Sequence, residues 1–190
     1  MSAQLSPRVK ELIAKARIVS FEGWQDQFGE DEIATLQTAD DEGTYLSDAL
    51  LEVMPVSHIA RSLRDHASAI VDTARAQILE EFPGITEPGG GLYPAIRAEA
   101  CWRDFWHFLR CITYGIAARR TDYTSATGLS YLEQLYQELQ VPLGAMVFGL
   151  KSLKTVSKHQ LTQLELTVED DQIDPYFDHL IQALSQFQAS

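Results

Sequence analysis

Apolar residues recur at three- and four-residue steps along almost the whole chain, and hardly any stretch alternates as a half-buried strand does. That property confines the fold to packed helices. Ser6–Pro7 offers a cap and a first-turn proline for a helix over Arg8 to Val19, with Val9, Leu12, Ile13 and Ala16 on one side. Phe21 to Asp31, rich in Gly and aromatic residues, reads as a break, followed by a short helix over Glu32 to Gly43. Ser47 is placed to cap a third helix running toward Met54. Pro55 opens a long segment, Val56 to Phe82, with Ile59, Leu63, Ala67, Ile70 and Ala74 as its apolar stripe.

Pro83 to Gly91 is a loop, since proline removes donors and glycine favours turns. Pro94 suits the first turn of a helix reaching about Ala118. Further helices are expected over Ala126 to Gln140, Pro142 to Lys158 and Asp171 to Gln188, with a weak strand-like hint at Gln163 to Val168. Six or more helices of unequal length make an all-α globule crossing at oblique, globin-like angles rather than a regular four-helix bundle.

At 190 residues the chain is long enough for one well-buried core and short for two. Lys and Arg number 15 against 27 Asp and Glu, a formal charge of −12, which argues against a nucleic-acid binder. No stretch approaches the ~20 apolar residues of a spanning helix. Met1 to Arg17 has no apolar core behind its charges, so no secretory signal is expected.

The two cysteines, Cys101 and Cys111, fall in one helical segment, Ala98 to Ala118. Ten residues of helix rise ~15 Å, far beyond the ~7 Å Cα limit of a disulfide, so they cannot bridge each other. Cys101, Asp104, Phe108 and Cys111 share one stripe; Trp102, Trp106, Leu109 and Thr113 form the next. Read by residue type alone, Cys101 is a small buried hydrophobe and Arg103–Asp104 a solvated pair. Cys101, Asp104 and His107 make a weak metal set, so no metal is expected. A nucleophile would need an oriented base, and His58, His66, His159 and His179 are scattered, so no enzyme is expected. Gly89–Gly91 follow no strand and precede no Lys, which makes them a turn rather than a phosphate cradle.

A longer pattern runs through the same region. Pro88–Gly90 with Tyr93 (P-G-G-x-x-Y), Cys101 to Asp104 (C-x-R-D), Leu109–Arg110 and Thr113 to Gly115 (T-Y-G) resemble the phycobiliproteins, most of all their allophycocyanin branch. The resemblance continues through Gly128–Leu129, Leu135–Tyr136 and Val141 to Met146, up to Lys154. Upstream, Ala39 to Glu42 with Tyr45 to Ser47 match the A-D-x-E-x-x-Y-L-S segment, and Tyr176–Asp178 with Ile181 match the Y-F-D ending. The motifs stand in correct order, which is more specific than any one of them.

The resemblance implies a globin-like helical domain over 32–190, preceded by an N-terminal helical extension over 1–31. It implies a phycocyanobilin-type linear tetrapyrrole in thioether linkage to Cys101. Asp104 would accept from pyrrole N–H groups; Arg103, with Arg97 as a second candidate, would pair with propionates. Trp102, His107 and Tyr114 complete the implied bilin-binding set, and the Pro88–Gly91 loop would lie over it. Asp40 would pair with the arginine equivalent to Arg110 on a partner, a related phycobiliprotein subunit or a second copy. The implied setting is the phycobilisome core at the cytoplasmic or stromal face of the thylakoid. The implied role is light harvesting, energy transfer or photoprotective control.

Several positions depart from the family pattern. His107–Phe108 replace a tyrosine pair, Trp106 an acidic residue, Arg119–Arg120 a Gly-Asp turn, Thr44 an arginine and Gly91 a polar residue. These keep a second expectation open: a non-harvesting interaction protein of the same fold, serving antenna assembly, remodelling or degradation with transient or no bilin. The basic face of the extension (Arg8, Lys10, Lys15, Arg17) would either dock on an acidic antenna surface or fold back on its own chain.

Overall fold

The computed structural model describes residues 5–188, which form nine α-helices and two short 3-10 turns. Helix α1 (Pro7–Lys15) starts where Ser6 accepts a hydrogen bond from the Val9 amide at 3.1 Å. It stops four residues short of the expected Val19. Ile18 and Val19 are β-branched and run extended instead, with Val19 in an antiparallel bridge to Thr124. The Ser125 amide reaches Ile18 O at 2.7 Å and the Ser20 amide reaches Tyr123 O at 2.9 Å. Val9 and Leu12 are buried as expected, whereas Ile13 is exposed.

A left-handed Gly23 (φ 80°) turns the chain into the 3-10 turn Trp24–Asp26. Helix α2 (Glu30–Asp41) follows, then α3 (Asp48–Glu52), capped by Ser47 as the sequence indicates. The expected continuous helix over 56–82 is two: α4 (Ser57–Asp65) and α5 (Ala67–Glu81). His66 breaks it. Its ring Nδ1 lies 2.8 Å from Ser62 O, the carbonyl its own amide also uses, and its backbone leaves the helical region (φ −110°, ψ 10°). The stripe survives the break, because Ile59, Leu63, Ala67, Ile70 and Ala74 are all buried.

Helix α6 (Ala95–Ala118) is the axis of the molecule and is buried along most of its second half. Helices α4 and α5 pack on it, α8 (Leu143–Gln163) lies across α5, and α9 (Asp174–Ser185) packs on α8 and α6. Gly149 lets α8 approach α6, since a Cβ there would overlap the Phe105 ring. No strand forms over 163–168: Glu165 takes a left-handed conformation (φ 57°) that ends α8.

Helix α7 (Ala126–Glu138) is covered by α1. The N-terminal segment therefore folds back on its own chain. Trp24 is 0% exposed, Phe21 stacks on Tyr114, and Gln27 Nε2 donates to Ala118 O at 2.8 Å. Arg120 ties Asp26 (2.8 Å) and Gly23 O (3.1 Å) to the end of α6.

Candidate functional site

The helical spacing of α6 sorts the expected residues into three groups. On one face, Arg97, Cys101 and Asp104 follow one another at single-turn steps. Cys101 is 5% exposed, and burial together with the neighbouring Asp104 carboxylate pushes its thiol up to about 12. The positive charge of Arg97 acts the other way on that thiol. The Asp104 carboxyl is raised to about 6, chiefly by desolvation, against a hydrogen bond from Tyr136 and the charge of Arg103. The Tyr136 hydroxyl donates to Asp104 Oδ2 at 3.1 Å. Among the described residues no protein group donates to the other oxygen.

The second group faces α5. Trp102 is buried, stacks on Phe105 (6.2 Å) and carries the Arg75 guanidinium over its ring at 5.1 Å. Its indole N–H is buried with no acceptor among the described residues. Arg103, next to it in the chain, is exposed.

The third group lies on the opposite side from Cys101 and gathers around Asp40. His107 and Tyr114, expected with the cofactor set, belong here instead. His107 Nδ1 accepts from Arg110 Nε at 3.3 Å and its ring rests against Gly43. Burial and the adjacent arginines lower its pKa to about 4, so it is neutral. The Tyr114 hydroxyl donates to Thr44 O at 2.6 Å, beneath the Arg110 guanidinium. Their 240° and 220° offsets from Cys101, at 100° per residue, are the reason they turn away from it.

Asp40 and Arg110 pair with each other. Arg110 Nη1 reaches Asp40 Oδ1 at 2.8 Å, and the residues are only 6% and 3% exposed respectively. Asp40 and Arg110, expected at a subunit interface, are thus in contact within this chain. Arg17 of the folded-back N-terminal segment adds a second bond to Asp40 at 3.1 Å and one to Asp41 at 2.7 Å.

Two contributors were not assigned from sequence. Tyr136 is the partner of Asp104, and the sequence offered it only as part of the Leu135–Tyr136 match, without a role. Arg17 carried no local signal, because its partner stands 23 residues away.

These side chains fit an extended, hydrogen-bond-rich ligand better than a metal. No cluster of His, Cys, Asp or Glu suited to a metal exists among the described residues. What they do present is a thiol, a carboxylate with a spare acceptor oxygen one turn away, and an unmet indole donor.

Comparison with known proteins points the same way. The sequence model of the family described as "Phycobilisome protein" matches residues 34–184. The chain is 34% identical over 128 residues to the allophycocyanin subunit alpha-B of Synechocystis sp., covering 67% of this chain and 76% of that one. Against the allophycocyanin subunit beta-18 of Nostoc sp. the identity is 33% over 127 residues, 67% of this chain and 75% of the relative. A solved structure, a far-red fluorescent biliprotein derived from a far-red induced allophycocyanin F subunit of Chroococcidiopsis thermalis, superposes with a TM-score of 0.63 at 26% identity, covering 67% of this chain and 94% of that one. The helices described above are the globin-like phycobiliprotein fold, and the chain belongs to the phycobilisome protein family.

Proposed function

We propose that the chain is an allophycocyanin-like phycobilisome subunit that carries a phycocyanobilin-type linear tetrapyrrole on Cys101. The observation that carries this reading is the pairing of Cys101 with Asp104 one turn later, its carboxylate held by Tyr136 with acceptor capacity to spare. The pigment, when bound, supplies visible absorption and an excited state; the protein's part is to attach it, stiffen it and shield it. Cys101 would hold the pigment through its sulfur, in a thioether formed by addition of the S–H across an exocyclic double bond. Asp104 would accept from ring N–H groups and limit torsion that would turn excitation into heat. Arg103, exposed and one residue before Asp104, is placed for a propionate, which a planar guanidinium binds through two parallel bonds. Trp102 offers its buried indole N–H as a donor. None of these roles turns over a substrate, so the reading is of a pigment carrier and not an enzyme.

The proposed setting is the phycobilisome core at the cytoplasmic or stromal thylakoid surface, beside related subunits or a second copy, in energy transfer or photoprotective control. No helix among the described residues is long and apolar enough to cross a membrane.

A second reading is favoured by the Asp40–Arg110 pair, which is closed within the chain. A subunit whose expected partner-binding charges are spent internally suits an antenna assembly, remodelling or degradation role, with transient bilin or none. Co-expression with bilin-producing enzymes and a bilin lyase separates the two. The acid-denatured protein is expected to keep visible absorbance and zinc-enhanced fluorescence, lost in Cys101→Ala and kept in Cys111→Ala. A colourless denatured wild-type band in that experiment rejects covalent attachment and leaves the second reading standing.

A further inference from the structure

Near the start of α6 a strap is tied by one side chain, that of Arg97. The Pro83–Gly91 loop is internally pinned, with the Gly90 amide on Glu87 O at 2.8 Å and the Leu92 amide on Ile85 O at 2.9 Å. It moves, if at all, as a piece. Its far edge rests on the α7–α8 turn: a Cβ at Gly91 would stand 3.1 Å from Pro142 Cβ, so the two backbones meet at near contact distance. Across that seam a single nitrogen makes both polar bonds. Arg97 Nη2 donates to Gly91 O at 3.1 Å and to Gln140 O at 3.0 Å. Gln140 presents its carbonyl from a left-handed conformation (φ 50°) that ends α7. Arg97 is itself one turn before Cys101 on the same face of α6, so the residue that ties the seam is the thiol's neighbour along that face.

We propose that Arg97 is the latch of this strap and controls access to Cys101. With the latch closed, the inferred cover is in place and Cys101 is 5% exposed. Opening requires the guanidinium to leave two carbonyls, both neutral acceptors at a partly solvated seam. Such bonds are individually modest, so the strap opens without unfolding of the core. The freed guanidinium is then the nearest cation to an anionic group on whatever enters. The inference rests on Cys101 being the reactive thiol of the proposed function, and it adds the element that decides when that thiol is reachable.

The test uses full-length protein from a host that makes no bilin and a small maleimide as probe, with peptide mapping to score each cysteine. Cys111, buried in the core at 1% exposure, is the internal control. Arg97→Met keeps most of the apolar stem and removes the donors. It is expected to raise the alkylation rate of Cys101 at least tenfold with Cys111 unchanged. Gly91→Val, which wedges the seam while leaving Arg97 intact, is expected to do the same. The latch is rejected if Cys101 reacts at the rate of a free thiol in the wild type, if Arg97→Met leaves its rate unchanged, or if both cysteines accelerate together. Pigment attachment is scored separately. A latch-dependent rate with a colourless co-expressed protein removes the pigment reading alone; a pigmented protein with no latch dependence removes the latch alone.

Discussion

Asp104 holds a charge under strain of desolvation, and its pH behaviour follows from that. An unfolded chain titrates this carboxyl near 3.8, the folded chain near 6. Between those values the folded form keeps a proton that the unfolded form has lost, so stability falls as pH rises through the window. Above it the penalty is fully present. Asp104→Asn retains an acceptor for Tyr136 and removes the charge. It is expected to stabilise the chain by about 1–2 kcal/mol at pH 7.5, allowing for solvent screening, and to have no effect near pH 4. Urea melts at the two pH values measure this; equal effects at both would place the desolvation elsewhere. Asp40 is the opposite case, a charge whose burial is compensated by Arg110 at 2.8 Å and Arg17 at 3.1 Å. Asp40→Ala strands the Arg110 guanidinium beside Tyr114 and Tyr45, and is expected to cost about 3–5 kcal/mol. Replacing both partners, Asp40→Leu with Arg110→Met, is expected to recover most of that loss. A double variant as unstable as the single one would show that the pair is not the cause.

At the scale of elements, what was legible in the sequence was whatever a short window encodes. Ser6 and Ser47 cap where their side chains can reach amides three residues on, and the Ile59-to-Ala74 stripe is buried throughout. The resemblance motif around Cys101 brought Arg97, Cys101 and Asp104 to one face because helical spacing alone decides that. What escaped depends on partners distant in sequence. The end of α1 at Lys15 is set by Thr124, and Asp40 finds Arg110 at a sequence separation of 70. His107 and Tyr114 stand on the side of α6 away from Cys101, and a motif names residues without saying which side of the helix each one takes. The break at His66 rests on one ring nitrogen competing for Ser62 O, which periodicity does not register. Gly128 gives this dependence a direct test. Its Cα lies against the Arg17 carbonyl, and a Cβ there would overlap it. Gly128→Ala is expected to lift residues 16–20 off α7 and cost about 2–3 kcal/mol. A melt unchanged within 0.5 kcal/mol, on the order of a neutral surface change, would mean the contact yields freely.

The whole molecule is held as one unit by the way its N-terminal segment is fastened. A loosely appended arm would carry its aromatic residues at a surface, yet Trp24 is 0% exposed and Phe21 and Phe28 are buried beside it. Its polar bonds reach four parts of the body: α7 through Arg8, the 123–125 segment through the Ile18–Ser20 bridge, the end of α6 through Gln27 and Arg120, and α2 through Arg17. Separating these contacts would uncover Tyr114 and Tyr123, both 0% exposed, at the centre of the molecule. The opening that frees the Ser20 amide from Tyr123 O therefore has to disrupt the same core that protects Ile112. Native-state hydrogen exchange reads this directly, because local openings show low free energies and global ones converge on the unfolding value. The Ser20 and Ser125 amides are expected to exchange with opening free energies within about 1 kcal/mol of that of Ile112, and to follow it as urea is added. Ready exchange at Ser20 with Ile112 still protected would instead make the segment an independently detachable arm, free to bind other surfaces while the globin body stays folded.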